Sequence, residues 1–270
     1  MTGKSDPLPM AGHAGDAARM AALEARVAEL QAEMQSLTST LSHDLQAPLR
    51  HITSFAQLLE DEAGPVLDGE MREFLGHISG SAKTLGAMLD ALLALSRVGT
   101  VALQLEPVSL ADVVQAEVQV QQRKLASLQA PRVLQWSVGA LPAVVADGKL
   151  LQQALVQVLD NAVKFTAQQA QAEIQVEAHR DATTGKVLCT VRDNGVGFAA
   201  AQASQLFKPF ARLHSPRQFP GLGMGLAQVR KSLLRMQGAV SITAAPEGGC
   251  TVVLELPAAE GGCGIDCQVL

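Results

Sequence analysis

Residues 41–49 read Leu41-Ser42-His43-Asp44-Leu45-Gln46-Ala47-Pro48-Leu49, with a histidine beside a carboxylate and a proline five residues after the histidine. Upstream, apolar residues recur at alternating spacings of three and four, the pattern of a coiled-coil seam. These residues are Met20, Leu23, Val27, Leu30, Met34, Leu37 and Leu41. With Met20 as an a position, His43 falls at position c, on the outer face. The pattern predicts a helix that is paired along one side, exposes an imidazole on the other and bends at Pro48.

The pair formed by His43 and Asp44 has two interpretations. An exposed imidazole beside an acid that can hold or take its proton is a candidate nucleophile. A surface histidine on a dimerising helix would give the same pattern, and a single His-Asp pair does not distinguish a nucleophile from such a surface residue. The other histidines lack a partner pattern and are expected to be surface or hydrogen-bonded residues, with His51 the one competitor as acceptor. They are His13, His51, His77, His179 and His214.

Composition excludes several classes of protein. The chain has 270 residues, 48% of them hydrophobic, a net charge of −5, one Trp and no Tyr. Because the chain has no basic bias and few aromatic residues for base stacking, we expect no nucleic acid partner. We find no run near the ~18 apolar residues that a membrane segment needs, and no secretion signal. Four cysteines in such a chain favour a reducing, cytoplasmic location over a disulfide scaffold.

The first 98 residues are predicted to be helical after a disordered N-terminus at residues 1–16. Residues 17–40 form a coiled-coil helix, and residues 41–98 form a helical hairpin with its turn at 62–69. The second helix has an apolar stripe of its own: Met71, Phe74, Ile78, Ala82, Leu85, Leu89, Leu92 and Leu95. A lone hairpin cannot bury two stripes, so we expect a homodimer that forms a four-helix bundle. A helical dimer without chemistry fits this periodicity equally well.

The pattern changes after an expected linker at residues 99–107. Between residues 108 and 257 we expect helices at 109–129, 147–165 and 225–236, the first two capped by Ser109 and Asp147. Strands are expected at 133–138, 143–146, 173–178, 187–192, 240–243 and 251–256. This mixture predicts an α+β sandwich with helices on one face of a sheet. Residues 258–270 are expected to be a flexible tail, in which Cys263 and Cys267 lack the further ligands that a metal site would need.

Three stretches of the second half suggest chemistry. Gln157, Asn161 and Lys164 lie three and four residues apart, on one face of a helix. Two amides and an ammonium on one face suit a nucleoside triphosphate with its metal ion. An ordinary polar helix face would show the same spacing. Residues 192–197, Arg-Asp-Asn-Gly-Val-Gly, put a carboxylate and a tight loop after a strand, where a flat ring can approach. Residues 221–225, Gly-Leu-Gly-Met-Gly, precede a helix whose N-terminus can hold phosphate.

Together with residues 41–49, these stretches resemble the motifs of sensor histidine kinases. Residues 41–49 resemble the phospho-acceptor box of that family, and residues 157–166 its asparagine box. Residues 193–197 and 221–225 resemble its two glycine boxes, and residues 207–210, Phe-Lys-Pro-Phe, its phenylalanine box. The resemblance covers residues 40–257 and implies a dimeric helical hairpin followed by an ATP-binding domain of the Bergerat fold, shared with gyrase and Hsp90. Two details look most like kinases that follow phytochrome-type sensor domains: His-Asp-Leu-Gln-x-Pro-Leu at 43–49 and Arg-Leu-His-Ser at 212–215.

The resemblance also implies a role for each matching residue. His43 would attack the γ-phosphorus of ATP with Asp44 as base, and the phosphoryl group would pass to an aspartate of a response regulator. Asn161 would ligate Mg²⁺, with Gln157 as a second candidate ligand. The nucleotide would be bound by Lys164, Phe165, Asp193, Gly195, Gly197, Arg212, Gly221, Gly223 and Gly225. Charge neutralisation by Mg²⁺, Lys164 and Arg212 suits phosphoryl transfer, and the linker would let the ATP domain swing onto His43.

Two positions depart from the family pattern. Gln157 stands where the family often has asparagine, which could loosen the metal geometry. Ala47 stands where members that also dephosphorylate their partner carry Thr or Asn to orient water. Since alanine has no hydrogen-bonding side chain, we expect weak or absent phosphatase activity.

The leading hypothesis is an ATP-dependent protein-histidine kinase that acts as a homodimer on a response regulator. An upstream sensor protein or a separate sensory domain would supply its signal. One alternative is a non-enzymatic dimeric adaptor with a decayed ATP site. Another is an ATP-driven machine of the gyrase or Hsp90 kind, which needs a carboxylate where this helix has Gln157.

Overall fold

Two long helices make up the first unit of the chain. A computed structural model describes residues 12–127, 133–244 and 248–259, and its contacts divide the chain between Ser96 and Arg97. Helix α1 is Gly12–Ala63 and helix α2 is Gly69–Val98. The expected helical hairpin is confirmed, although α1 begins before residue 17 and continues past residue 59. The rest of the segment expected to be disordered, residues 1–11, lies outside the described residues.

The two helices pack on each other through a small apolar cluster formed by Leu49, Ala82 and Leu89. A side-chain hydrogen bond from Gln46 to Asp90, 3.3 Å long, also joins them. By contrast, the predicted seam is exposed, from Leu30 at 48% to Met34 at 73%. Exposed apolar seams of this length have a large free energy to gain from burial. Among the described residues of the first unit, none covers this seam.

Helix α2 is, among the described residues, the one helix long and apolar enough to cross a membrane. Length and composition alone single it out, and the core helix of a soluble protein can have the same features. The expectation that no segment is long and apolar enough does not hold for α2, although charged residues such as Lys83 and Asp90 interrupt its apolar stretch.

The second unit is a five-stranded sheet covered by helices. Its elements are β1 Leu105–Ser109, α3 Leu110–Ala126, β2 Leu134–Val138, β3 Ala143–Asp147, α4 Gly148–Phe165, β4 Ala172–Arg180, β5 Val187–Asp193, a 3-10 helix Ala200–Gln205, α5 Gly225–Arg235, β6 Ala239–Ala244 and β7 Cys250–Leu256. The strand order is β2-β4-β5-β7-β6, in which β2 and β4 are parallel and the other neighbours antiparallel. Strands β1 and β3 form a separate antiparallel pair.

One face of this sheet is buried against the three helices. Side chains alternate along β4, where Ile174 and Val176 are buried between exposed neighbours. They join one core with Leu155 of α4 and Leu233 of α5. This architecture confirms the α+β sandwich, and its core holds α4 and the end of β5 against each other.

The linker expected at 99–107 is wrong at its C-terminal end. Residues 105–107 belong to β1, and Leu105 pairs with Asp147 of β3. The Gln104 amide donates to the Asp147 carboxylate at 3.1 Å, and the Val98 carbonyl accepts from Arg235 at 2.8 Å. This segment becomes a strand because it pairs with β3, about forty residues further along the chain. Local composition does not reveal such a pairing.

Smaller differences occur at element ends. Helix α3 ends at Ala126 rather than near residue 129, and residues 128–132 lie outside the described part of the chain. In the expected tail, Ala258 bridges to Val144 and is therefore part of the fold. Cys263 and Cys267 lie outside the described residues.

Candidate functional site

Helix α4 presents the three polar residues that spacing places on one face. Its N-terminus is capped by Asp147, which accepts from the amides of Lys149 and Leu150 at 3.1 Å each. Gln157, Asn161 and Lys164 are all half-buried on the helix that follows. The Gln157 amide lies directly against Gly225, at the start of α5. The structure thus brings the amide face of α4 next to the end of the second glycine stretch.

Lys164 lies at the C-terminal end of that face, in a cationic environment. Its ammonium lies 4.4 Å from the centre of the Phe165 ring, and a methyl group on Gly221 would lie 3.6 Å from it. Burial and the nearby Arg212 guanidinium lower the pKa of Lys164, while Asp160 opposes them. Two cations held near each other in a desolvated site favour an anionic ligand.

Asp193 ends β5 and is 6% exposed. Its carboxylate accepts from the Gly195 amide at 2.8 Å and from the backbone amide of Cys250. Burial raises the pKa of Asp193 to about 6, and the two N–H groups act in the opposite direction. A buried carboxylate with remaining acceptor capacity can bind an amino group of a ring that enters the site.

Two glycines allow the chain to fold tightly around Asp193. A methyl group on Gly195 would lie 2.7 Å from the Phe165 carbonyl oxygen, closer than real side chains come. Gly249 has φ +80°, and a methyl group there would overlap the Asp193 carbonyl oxygen. Gly249 directly precedes the last strand, and its closeness to Asp193 depends on the pairing of β5 with β7.

Asn194 anchors the same loop. Its side-chain oxygen accepts from the Glu173 amide at 2.9 Å, and its side-chain nitrogen donates to the Gln171 carbonyl at 2.8 Å. Both ends of the amide are therefore used to hold the loop on the start of β4.

Residues 206–224 form a loop over the site, here called the lid. Phe207 packs against the core, and Arg230 lies 5.9 Å from its ring centre. Arg212 donates to the Phe219 carbonyl at 2.8 Å, which holds the two sides of the lid together. Gly223 lies against the Ala211 carbonyl, within the lid itself.

His214 and Phe219 of the lid were not identified as site residues from the sequence. Both rings contact Phe165, and His214 Nε2 lies 3.1 Å from the Gly197 carbonyl oxygen. The one available signal was the stretch Arg-Leu-His-Ser, which by itself does not say what the histidine contacts.

The first unit carries the candidate nucleophile. The side chains of His43 and Asp44 are 85% and 69% exposed, and His43 Nδ1 lies 3.3 Å from Asp44 Oδ1. His51 is exposed on the same helix. An imidazole that is held at Nδ1 by a carboxylate presents Nε2 to an electrophile.

The donor set around α4 fits a Mg²⁺ ion only together with a ligand that brings oxygens. The side chains of Gln157 and Asn161 supply neutral amide oxygens, which Mg²⁺ accepts. Within the described ranges, no three His, Cys, Asp or Glu side chains come together as a metal site. A polyphosphate would supply the remaining oxygens.

Two protein-family models match this chain, one for each of its two units. Residues 33–100 match the family model described as the His Kinase A (phospho-acceptor) domain. Residues 146–260 match the model described as the Histidine kinase-, DNA gyrase B-, and HSP90-like ATPase.

Two curated relatives extend this similarity across most of the chain. The non-motile and phage-resistance protein of Caulobacter vibrioides is 28% identical over 81% of this chain and 26% of its own length. The phytochrome-like protein Cph1 of Synechocystis is 26% identical over 89% of this chain and 31% of its own length. The chain thus spans less than a third of either relative.

Among solved structures, full-length ShkA in complex with AMPPNP is similar, with a TM-score of 0.59 and 27% identity. The match covers 83% of this chain and 46% of that one.

Proposed function

The chain belongs to the histidine kinase family, and we propose that it transfers the γ-phosphoryl group of ATP to His43. The observation that supports this most is the convergence of four separate stretches on one pocket. The amide face of α4, the loop after β5, the lid and the glycines before α5 meet there. A buried acid, Asp193, two cations, Lys164 and Arg212, and closely packed glycines in one place argue against a decayed site.

Within this proposal the pocket divides into a base end and a phosphate end. Asp193 accepts a hydrogen bond from the adenine amino group. Gly195, Gly197 and Phe165 shape the pocket around the adenine ring. Lys164, Arg212 and the glycines Gly221, Gly223 and Gly225 hold the phosphates. Asn161, with Gln157 as the second candidate, would hold Mg²⁺, which when bound would neutralise charge on the phosphates.

The chemistry at the other unit is set by the His43–Asp44 pair. With its N–H at Nδ1 held by Asp44, the neutral imidazole attacks the γ-phosphorus through Nε2. The new N–P bond forms as the bond from the γ-phosphorus to the bridging oxygen breaks, ADP leaves, and Asp44 takes the Nδ1 proton. The phosphoryl group then passes to an aspartate of a response regulator.

A homodimer completes the proposal. A second copy would bury the exposed seam of α1 and the exposed part of the α2 stripe, as in a four-helix bundle. That part consists of Met71, Phe74, Ile78 and Leu85. We further propose a cytoplasmic location and an upstream sensor that acts through the coiled-coil helix.

Ala47, which cannot orient a water molecule, supports weak or absent phosphatase activity.

Phosphorylation from [γ-³²P]ATP tests the central step. The purified chain should acquire an acid-labile, base-stable label, and His43→Gln should abolish it. His51→Gln is the matched control, since His51 is also exposed on α1 and should keep the label. Label that survives His43→Gln, or a chain that binds ATP without ever being labelled, would overturn the proposal and favour the adaptor.

A further inference from the structure

Three aromatic rings pack together where the lid meets α4. Phe165 is the last residue of α4, and its ring centre lies 5.6 Å from that of His214 and 5.0 Å from that of Phe219. His214 and Phe219 are 5.3 Å apart and meet edge to face. These distances are within the range of favourable ring pairs. Phe219 is 5% exposed, so the cluster is a packed part of the fold.

His214 also makes a polar contact that the two phenylalanines cannot make. Its Nε2 lies 3.1 Å from the Gly197 carbonyl oxygen, a separation of 17 residues along the chain. A carbonyl oxygen only accepts, so the contact is a hydrogen bond when Nε2 carries the proton. Gly197 is the last glycine of the loop that begins at Asp193, and its φ is +59°.

His214 therefore connects three parts of the proposed nucleotide pocket. Its ring packs on the end of α4, its Nε2 reaches the glycine loop, and its backbone belongs to the lid. We propose that His214 is a positioning residue that holds the lid against the glycine loop, so that the pocket is formed before the nucleotide arrives. The inference rests on the proposed function, because it names a further determinant of the same ATP site.

The physical reason is the entropy of ordering a loop. A lid that is unattached must be ordered when the ligand binds, and that cost lowers the affinity. A lid that is already held by a hydrogen bond and a ring contact has less freedom to lose. His214 does not touch the reacting atoms of the proposed reaction, so its loss should weaken nucleotide binding more than it slows turnover at saturation.

Three variants separate the two contacts. His214→Phe keeps a ring and removes the donor, His214→Gln keeps a donor and removes the ring, and His214→Ala removes both. One hydrogen bond or ring pair corresponds to about a threefold change in dissociation constant, so we expect about tenfold for His214→Ala and about threefold for each of the others. His179→Ala, at an exposed position on β4, is the matched control and should bind as the wild type does.

The measurement is a titration of the full chain with a ribose-labelled fluorescent ADP analogue and Mg²⁺. Autophosphorylation then gives KM for ATP, which should rise in parallel, and kcat, which should stay within about twofold. If His214→Ala does not fold, the two volume-conserving variants carry the test.

Three results would overturn the inference. Unchanged affinity in His214→Phe shows that the hydrogen bond has no role, unchanged affinity in His214→Gln shows the same for the ring, and equal weakening in His179→Ala shows a nonspecific effect. A wild-type chain that binds no nucleotide overturns the proposed function as well, which separates that failure from a failure of His214 alone.

Discussion

At the residue scale, the role proposed for Asp193 comes with a cost in stability. Burial raises its pKa from the usual 3.8 to about 6, so the folded state favours the protonated acid. The stabilisation associated with this group is complete below the unfolded pKa and is lost as pH rises through about 6. The carboxylate form, which the proposed contact with the base requires, is therefore the form that burial disfavours.

Asp193→Asn removes this titration. The stability of the variant relative to the wild type should increase by about 1 kcal/mol between about pH 5 and about pH 7.5, as urea unfolding would measure. Asp181→Asn is the control, because hydrogen bonds from Thr183 and Thr184 lower the pKa of Asp181 and its titration falls below this range. A difference for Asp193→Asn that stays flat with pH would contradict the burial argument.

Ala47 determines a second expectation at the residue scale. It lies four residues after His43 on α1 and is half-buried, with no group that can hold a water molecule. Ala47→Asn should raise the rate at which the chain dephosphorylates the proposed response regulator by about a hundredfold, the lower end of the range typical of a positioned catalytic group. The measurement follows loss of label from the isolated phosphorylated regulator. Rapid dephosphorylation by the wild type would show that Ala47 does not limit this activity.

At the element scale, the seam of α1 is the feature that most needs a partner. Leu30 occupies a d position of the heptad and is 48% exposed in the single chain. Leu30→Asp should convert dimers to monomers at micromolar concentration, because a dimer would have to bury the charge. Size-exclusion chromatography with light scattering reports the change.

Ala32→Asp provides the matched control for the seam. Ala32 lies at position f of the same heptad, on the far side of the helix, and is exposed. The substitution introduces the same charge two residues away and should leave the dimer intact. Dissociation by both variants, or by neither, would show that the heptad seam is not the interface.

At the scale of the whole molecule, the two units should respond to different ligands and mutations. Saturation with MgADP at about a hundred times its dissociation constant should stabilise the second unit by about 2.7 kcal/mol. Leu30→Asp should lower only the transition of the helical unit. Calorimetry with and without nucleotide would resolve the two transitions. A single transition that moves under both treatments would mean that the units unfold together.

Much of the fold and of the site follows from short-range pattern. Heptad spacing located α1, alternation located β4 and β5, and Ser109 and Asp147 mark the starts of α3 and α4. The spacing of Gln157, Asn161 and Lys164 is enough to put them on one face of a helix. Such features extend over a few turns or a few residues, so a local window of sequence contains them.

What the sequence alone did not reveal involves residues far apart along the chain. Only the tertiary structure shows that β1 pairs with β3, that Gly249 packs against Asp193 and that His214 reaches the Gly197 carbonyl. These contacts depend on how the sheet closes and where it carries each loop. The propensity of neighbouring residues sets which elements form, whereas the burial of a shared core sets which loops meet.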